Sequence, residues 1–276
     1  MLVATVSDWL PEWIHLFLRW FHIIAGIMWL GQTWFFNWME RTFPLTPSPD
    51  PNIAGRIWMV HGGGFYHVEK QKVPVQMPGV LHWFKYEALF SWITGMLLLG
   101  QVYWLGGLLT DPRVRELPEW QAIAMVVGLL LVAWLVYDTI VQSPIGKNEV
   151  AVAAIGFPLI VAVAYGLSQL LSARAAWMHV GAMFGTIMVA NVWMRILPNQ
   201  SRMIAALAKG EAPDMSLGAK GKMRSKHNTY MSVPLILIMI ANHFPTIGFA
   251  ADYPWVVLSA IILVGWGMAK IIRDKL

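Results

Sequence analysis

Apolar positions along the chain gather into runs too long and too frequent for the core of a soluble domain. Seven runs can be drawn, at roughly 13–39, 82–108, 119–141, 148–170, 175–197, 229–248 and 254–272. Each is near the ~20 residues that a helix needs to cross a bilayer. Backbone groups in hydrocarbon must be bonded within their own segment, so these runs predict helices. The expected fold is all-α: a polytopic transmembrane bundle of about seven helices, forming a single integral membrane domain over residues 1–276.

The polar positions fall into two long connections, 40–81 and 197–228. The second holds Arg202, Lys209, Lys220, Lys222, Arg224 and Lys226 and is the most basic part of the chain. Basic loops stay on the cytoplasmic side. Counting crossings from it places the N-terminus outside and the C-terminus inside. The 40–81 loop, with Arg41, Arg56, Lys70 and Lys72, then also falls inside, as do Lys270, Arg273 and Lys275. Arg113, Arg115 and Arg174 fall outside, against the trend.

Composition sharpens the class. The chain is 57% hydrophobic and 13% charged, against about 25% charged in soluble domains. Its net charge of +5 therefore reports loop topology, and no nucleic-acid partner is expected. There are no cysteines, which excludes disulfides, thiolate metal sites and a c-type haem on these residues. The opening "MLVATVSDWLPEW" lacks a basic n-region, so no removable signal peptide is expected.

The histidines sort by depth in this topology. His22, His179 and His243 fall in the outer parts of the first, fifth and sixth helices. His15 lies seven residues before His22, about 10 Å away on the same face. His61, His67, His82 and His227 belong to the inner side, together with Lys85, Glu87, Asp138, Glu149, Asn191 and Arg195. Intramembrane histidines often serve only as helix–helix contacts. Three at similar depth on three helices make an axial-ligand set for haem b conceivable, since neutral imidazole in an apolar bundle is its usual setting. His227 and His243 are sixteen residues apart, about 24 Å along a helix, and so do not share one haem.

One connection stands out. "HGGGFYHVEK" (61–70) sets three glycines between two imidazoles and follows them with aromatics and a charged pair. Glycine tolerates positive φ, so a plain turn is one reading. The other is a loop that closes on a planar ligand: Phe65 and Tyr66 could stack on it, and His61, His67 and Glu69 could exchange protons.

Four stretches, "LRWFHIIAGIMWLG" (18–31), "HGGGFYHVEK", "LHWFKYEALFSWITG" (81–95) and "SKHNTYMSVPLILIMIANHFP" (225–245), together resemble the bacterial membrane-bound urate oxidase family, also called cytochrome-c-linked urate hydroxylases. The resemblance runs over essentially the whole chain. It implies a protein of the bacterial cytoplasmic membrane, surrounded by lipid, that acts in purine catabolism. Its activity would be oxidation of urate towards 5-hydroxyisourate, with electrons passed to an external cytochrome c or the respiratory chain. Longer members carry one more helix and a cytochrome c domain, and the 276 residues hold neither. A separate electron-transfer protein is then the expected partner. The alternative is a haem-b-binding or purely structural subunit of a larger respiratory or photosynthetic complex.

If the family chemistry holds, the inner mouth is the expected substrate site. His61, His67 and Glu87 would handle protons, Lys70, Lys85 and Arg195 would hold the anion, and Phe65 and Tyr66 would stack on its rings. Haem b would sit among His22, His179 and His243, with a second between His82 and His227.

Overall fold

The computed structural model describes residues 6–74, 77–244, 246 and 252–275. Its helices are α1 (Val6–Thr42), α2 (Tyr86–Leu99), α3 (Glu119–Gln142), α4 (Glu149–Ser168), α5 (Ala173–Asn191), α6 (Leu197–Ala208), α7 (Met215–Ala241) and α8 (Pro254–Lys275). Among the described residues five helical rods are long and apolar enough to cross a membrane: α1, α3, α4, the continuous α5–α6 rod and α8. With α2 and α7 between them they form an all-α multi-pass bundle. α1 is 37 residues long, about 55 Å at 1.5 Å per residue. It therefore outreaches a hydrocarbon core of about 30 Å and projects beyond it.

α5 is the centre of the bundle. Trp177, Val180, Phe184 and Met188 are fully buried and pack against Val126 of α3, Ile238 of α7 and Ile262 of α8. Small residues permit the closest approaches. A Cβ on Gly265 would meet Pro234 atoms at 2.9 Å, so α8 lies directly on the proline face of α7. A π-helical turn, Val192–Ile196, joins α5 to α6. Pro198 follows it and has no N–H to return to the preceding turn, which is a local reason for the wider winding.

Side-chain bonds establish which helix ends share a side. Trp177 donates to the Pro254 carbonyl at 3.1 Å and Ser172 to the Leu108 carbonyl at 2.8 Å. On the opposite side Arg41 donates to the Arg273 carbonyl at 3.1 Å, and Lys226 pairs with Glu149. The helices alternate direction as the hydrophobic runs predict.

Both long connections differ from irregular loops. Residues 197–228 are mostly helical: α6 and the first half of α7 turn back on each other, with Met203 against Gly218. Asp214 caps α7 by accepting from the Ser216 N–H at 2.9 Å. α7 therefore begins fourteen residues before the expected start of the sixth run and ends at Ala241; the expected end at 248 lies outside the described residues.

Residues 53–71 form an antiparallel hairpin of β1 (Ile53–His61) and β2 (Gly64–Gln71). Gly62 and Gly63 make its two-residue turn at φ 57° and 79°, the positive values that a hairpin turn of this length requires. Ile57 packs with Met39 and Phe43, flanked by Met59 and Val68. The hairpin thus seats one face on the end of α1 and leaves the other exposed. A Cβ on Gly63 would meet no atom, so the cost of Gly63→Val is conformational, about 1–2 kcal/mol for an L-residue forced left-handed. The expected result is faster proteolytic cleavage within 53–71 with membrane insertion and bundle stability unchanged.

Candidate functional site

The start of α2 gathers a cation, a base and flat walls. Lys85 occupies the cap position without a side-chain cap bond, which leaves the first N–H groups of α2 without a side-chain acceptor. Its ammonium lies 5.1 Å from the Tyr86 ring centre, 5.6 Å from Trp83 and 5.8 Å from Trp193. Among the described residues no carboxylate pairs with it. Two residues on, Glu87 Oε1 accepts a long bond from Gln32 of α1 at 3.4 Å. Glu87 Oε2 and the Trp193 ring N–H are buried without hydrogen-bond partners. Buried polar atoms are normally satisfied, so each of these two unpaired atoms calls for an explanation.

A second polar system fills the same end of the bundle and is closed on itself. Asp138 of α3 receives Arg224 of α7 at 2.7 Å and Arg195 at 2.9 Å. Arg224, 4% exposed, also donates to Asn191 Oδ1 at 3.1 Å. Guanidinium only donates, so this bond fixes the Asn191 amide. The Asn191 Nδ2 then donates to Asn228 Oδ1 at 2.8 Å and to the Tyr137 oxygen at 3.1 Å. Tyr137 in turn lies 2.8 Å from His227 Nδ1. The Tyr137 hydroxyl can donate to Nδ1, and in that tautomer His227 carries its N–H at Nε2.

The three histidines expected around a haem meet different surroundings. His22 Nδ1 lies 2.8 Å from the Ser91 carbonyl, an acceptor, and 3.1 Å from Thr94 Oγ1. Nδ1 therefore carries the proton and Nε2 keeps its lone pair, the arrangement common to metal-ligating histidines. His179, fully buried, donates from Nδ1 to the Ala175 carbonyl at 2.8 Å and accepts at Nε2 from Trp104 at 3.1 Å. Both its nitrogens are thus taken within the protein. His243 follows the last turn of α7 and is exposed. The donor chemistry of His22 fits an axial ligand; that of His179, as bonded here, does not.

The residues expected at the inner mouth are only partly brought together. Lys85 and Glu87 both stand at the start of α2, Lys85 against the rings of Trp83, Tyr86 and Trp193 and Glu87 against Gln32. Arg195 is committed to Asp138, and Lys70 to Glu40. The expectation that 61–70 folds into a closed polar pocket is corrected: His61 and His67 are exposed, Phe65 is 81% exposed and Tyr66 is exposed too. The physical reason is strand pairing. His67 stacks on its cross-strand neighbour Trp58 at 4.5 Å, and alternation turns that face to the outside. His82 is exposed beside Phe84, 4.5 Å between rings, and makes no contact with His227.

Gln32, which meets Glu87, and Trp193, which meets Lys85, escape sequence reasoning, because other helical segments supply them. Tyr137 could have been found, since it adjoins Asp138 inside an apolar run. A cavity of about 950 Å³ opens beside the second network, with His227, Tyr137 and Trp266 in its wall.

These features define a multi-pass membrane protein with unpaired and networked ionisable groups inside its bundle, the mark of a functional path. The chain belongs to the urate oxidase N-terminal family, whose model matches residues 8–274. Comparison with curated proteins and with solved structures gave no match.

Proposed function

We propose that this urate-oxidase-like membrane protein oxidises urate towards 5-hydroxyisourate at the start of α2. The observation that carries this reading is the family match over 8–274; Lys85 without a carboxylate partner among the described residues and the unpaired Glu87 Oε2, both at the start of α2, support it. Urate is a flat anion. The Lys85 ammonium would hold its charge, and the faces of Trp83, Tyr86 and Trp193 would bracket its rings. The Trp193 ring N–H and the open N–H groups of α2 would donate to its carbonyl oxygens. Glu87 Oε2 would accept the proton of the attacking water as general base. The balance is urate plus water giving 5-hydroxyisourate, two protons and two electrons.

The electrons would pass to an external cytochrome c or the respiratory chain of a bacterial cytoplasmic membrane, with the N-terminus outside. Haem b belongs to this proposal as a one-electron carrier, and His22 is the residue that would hold it. The test uses the purified chain in lipid nanodiscs. Urate should reduce an added cytochrome c or ferricyanide acceptor, and a reduced-minus-oxidised spectrum should show a b-type band that His22→Ala removes. An acceptor that stays oxidised in the presence of urate would overturn the reading.

A further inference from the structure

The cavity beside His227 has a build of its own. Its walls come from α3, α4, α5, α7 and α8 and are apolar over most of their length, with Val136, Ile140, Ala153 and Ile160 among them. At one end lie His227, Tyr230 and the pairs Lys226–Glu149 and Lys270–Asp274. The volume is within the range of ligand sites, about 300–1,000 Å³. A long apolar slot with a few polar groups at one end fits an amphiphile.

The polar end distinguishes between neutral and anionic heads. Both lysines are paired with carboxylates, so the two pairs add no net charge to this end. Arg273 has no carboxylate partner among the described residues, but its guanidinium lies over the Tyr230 ring at 5.4 Å. The relay from Arg224 through Asn191 ends on Tyr137, 2.8 Å from His227 Nδ1, and a bond donated by that hydroxyl leaves Nε2–H free to donate. A neutral N–H donor is suited to a carbonyl oxygen and, in that tautomer, not to iron.

We infer that this cavity binds a neutral isoprenoid quinone, with the His227 Nε2–H donating to one quinone carbonyl and the tail running between α3 and α4. This deepens the proposed function and, as far as turnover is concerned, rests on it. The quinone takes the two electrons and two protons released at urate and becomes the quinol. The sum is urate, water and quinone giving 5-hydroxyisourate and quinol.

The site is tested without urate. The full chain in nanodiscs is titrated with a radiolabelled short-chain ubiquinone analogue. Saturable binding of one analogue per chain is expected. His227→Phe should weaken it about tenfold, the loss of one hydrogen bond of about 1.4 kcal/mol. Gly156→Phe should abolish it by filling the slot; a Cβ on Gly156 meets no atom, and thermal unfolding of the variant, measured beside the parent, confirms that the bundle is intact. Absence of saturable binding, equal affinity in all three proteins, or displacement of the analogue by phosphatidylglycerol in the disc would overturn the inference. Quinone binding in a chain that leaves urate untouched supports the site and sinks the urate reading. Urate oxidation without quinone binding sinks this inference alone.

Discussion

Glu87→Gln should lower kcat for urate oxidation about 10²–10⁴-fold, the usual contribution of a positioned general base, and leave urate affinity nearly unchanged. The amide keeps the size of the carboxylate and its Oε1 can still accept from Gln32. What it loses is the basicity of Oε2, which is buried and has no hydrogen-bond partner. Lys85→Met should show the opposite division, a raised KM with a smaller change in kcat, because the ammonium acts on the charge that urate carries before and during reaction. Steady-state kinetics on both variants in nanodiscs checks the pair. A Glu87→Gln enzyme with parental kcat would remove the carboxylate from the chemistry.

The largest stability effect is expected from Asp138→Asn. One carboxylate serves Arg195 and Arg224, and Arg224 is almost wholly enclosed. Removing the negative charge leaves a buried guanidinium uncompensated, a loss of about 3–5 kcal/mol for breaking a buried pair. The Trp134 and Tyr137 rings lie 5.9 Å and 5.1 Å from that guanidinium and offset only part of it. The same change should disturb the relay that orients Asn191, Tyr137 and His227. Thermal unfolding in detergent should fall steeply, and reversing the defect with Arg224→Leu in the Asp138→Asn background should recover part of it. A variant as stable as the parent would mean that these charges are better solvated than their enclosure implies.

The bundle was legible because hydrophobic runs report the lipid directly, and α3, α4 and α8 coincide closely with theirs. The 197–228 segment was not, because its lysines and arginines read as a loop although they ride on helices that extend beyond the apolar run. α7 carries Arg224 inward to Asp138, where a positive residue that looks like a surface charge becomes a core one. The hairpin had a local signal, paired glycines between alternating residues, which the neighbouring imidazoles outweighed. Lys85 and Glu87 could be read from their place before an apolar run. Their partners Gln32 and Trp193 could not, since only the packing of α1, α2 and the turn after α5 brings them there.

The central claim is that urate sits at the start of α2, and equilibrium dialysis with radiolabelled urate tests it most directly. The purified parent chain in nanodiscs should bind one urate, and Lys85→Met should bind it at least about tenfold more weakly, since hydrogen bonds to a charged group contribute about 1.5–3 kcal/mol. No saturable binding by the parent, or the same affinity in both proteins, would contradict the account.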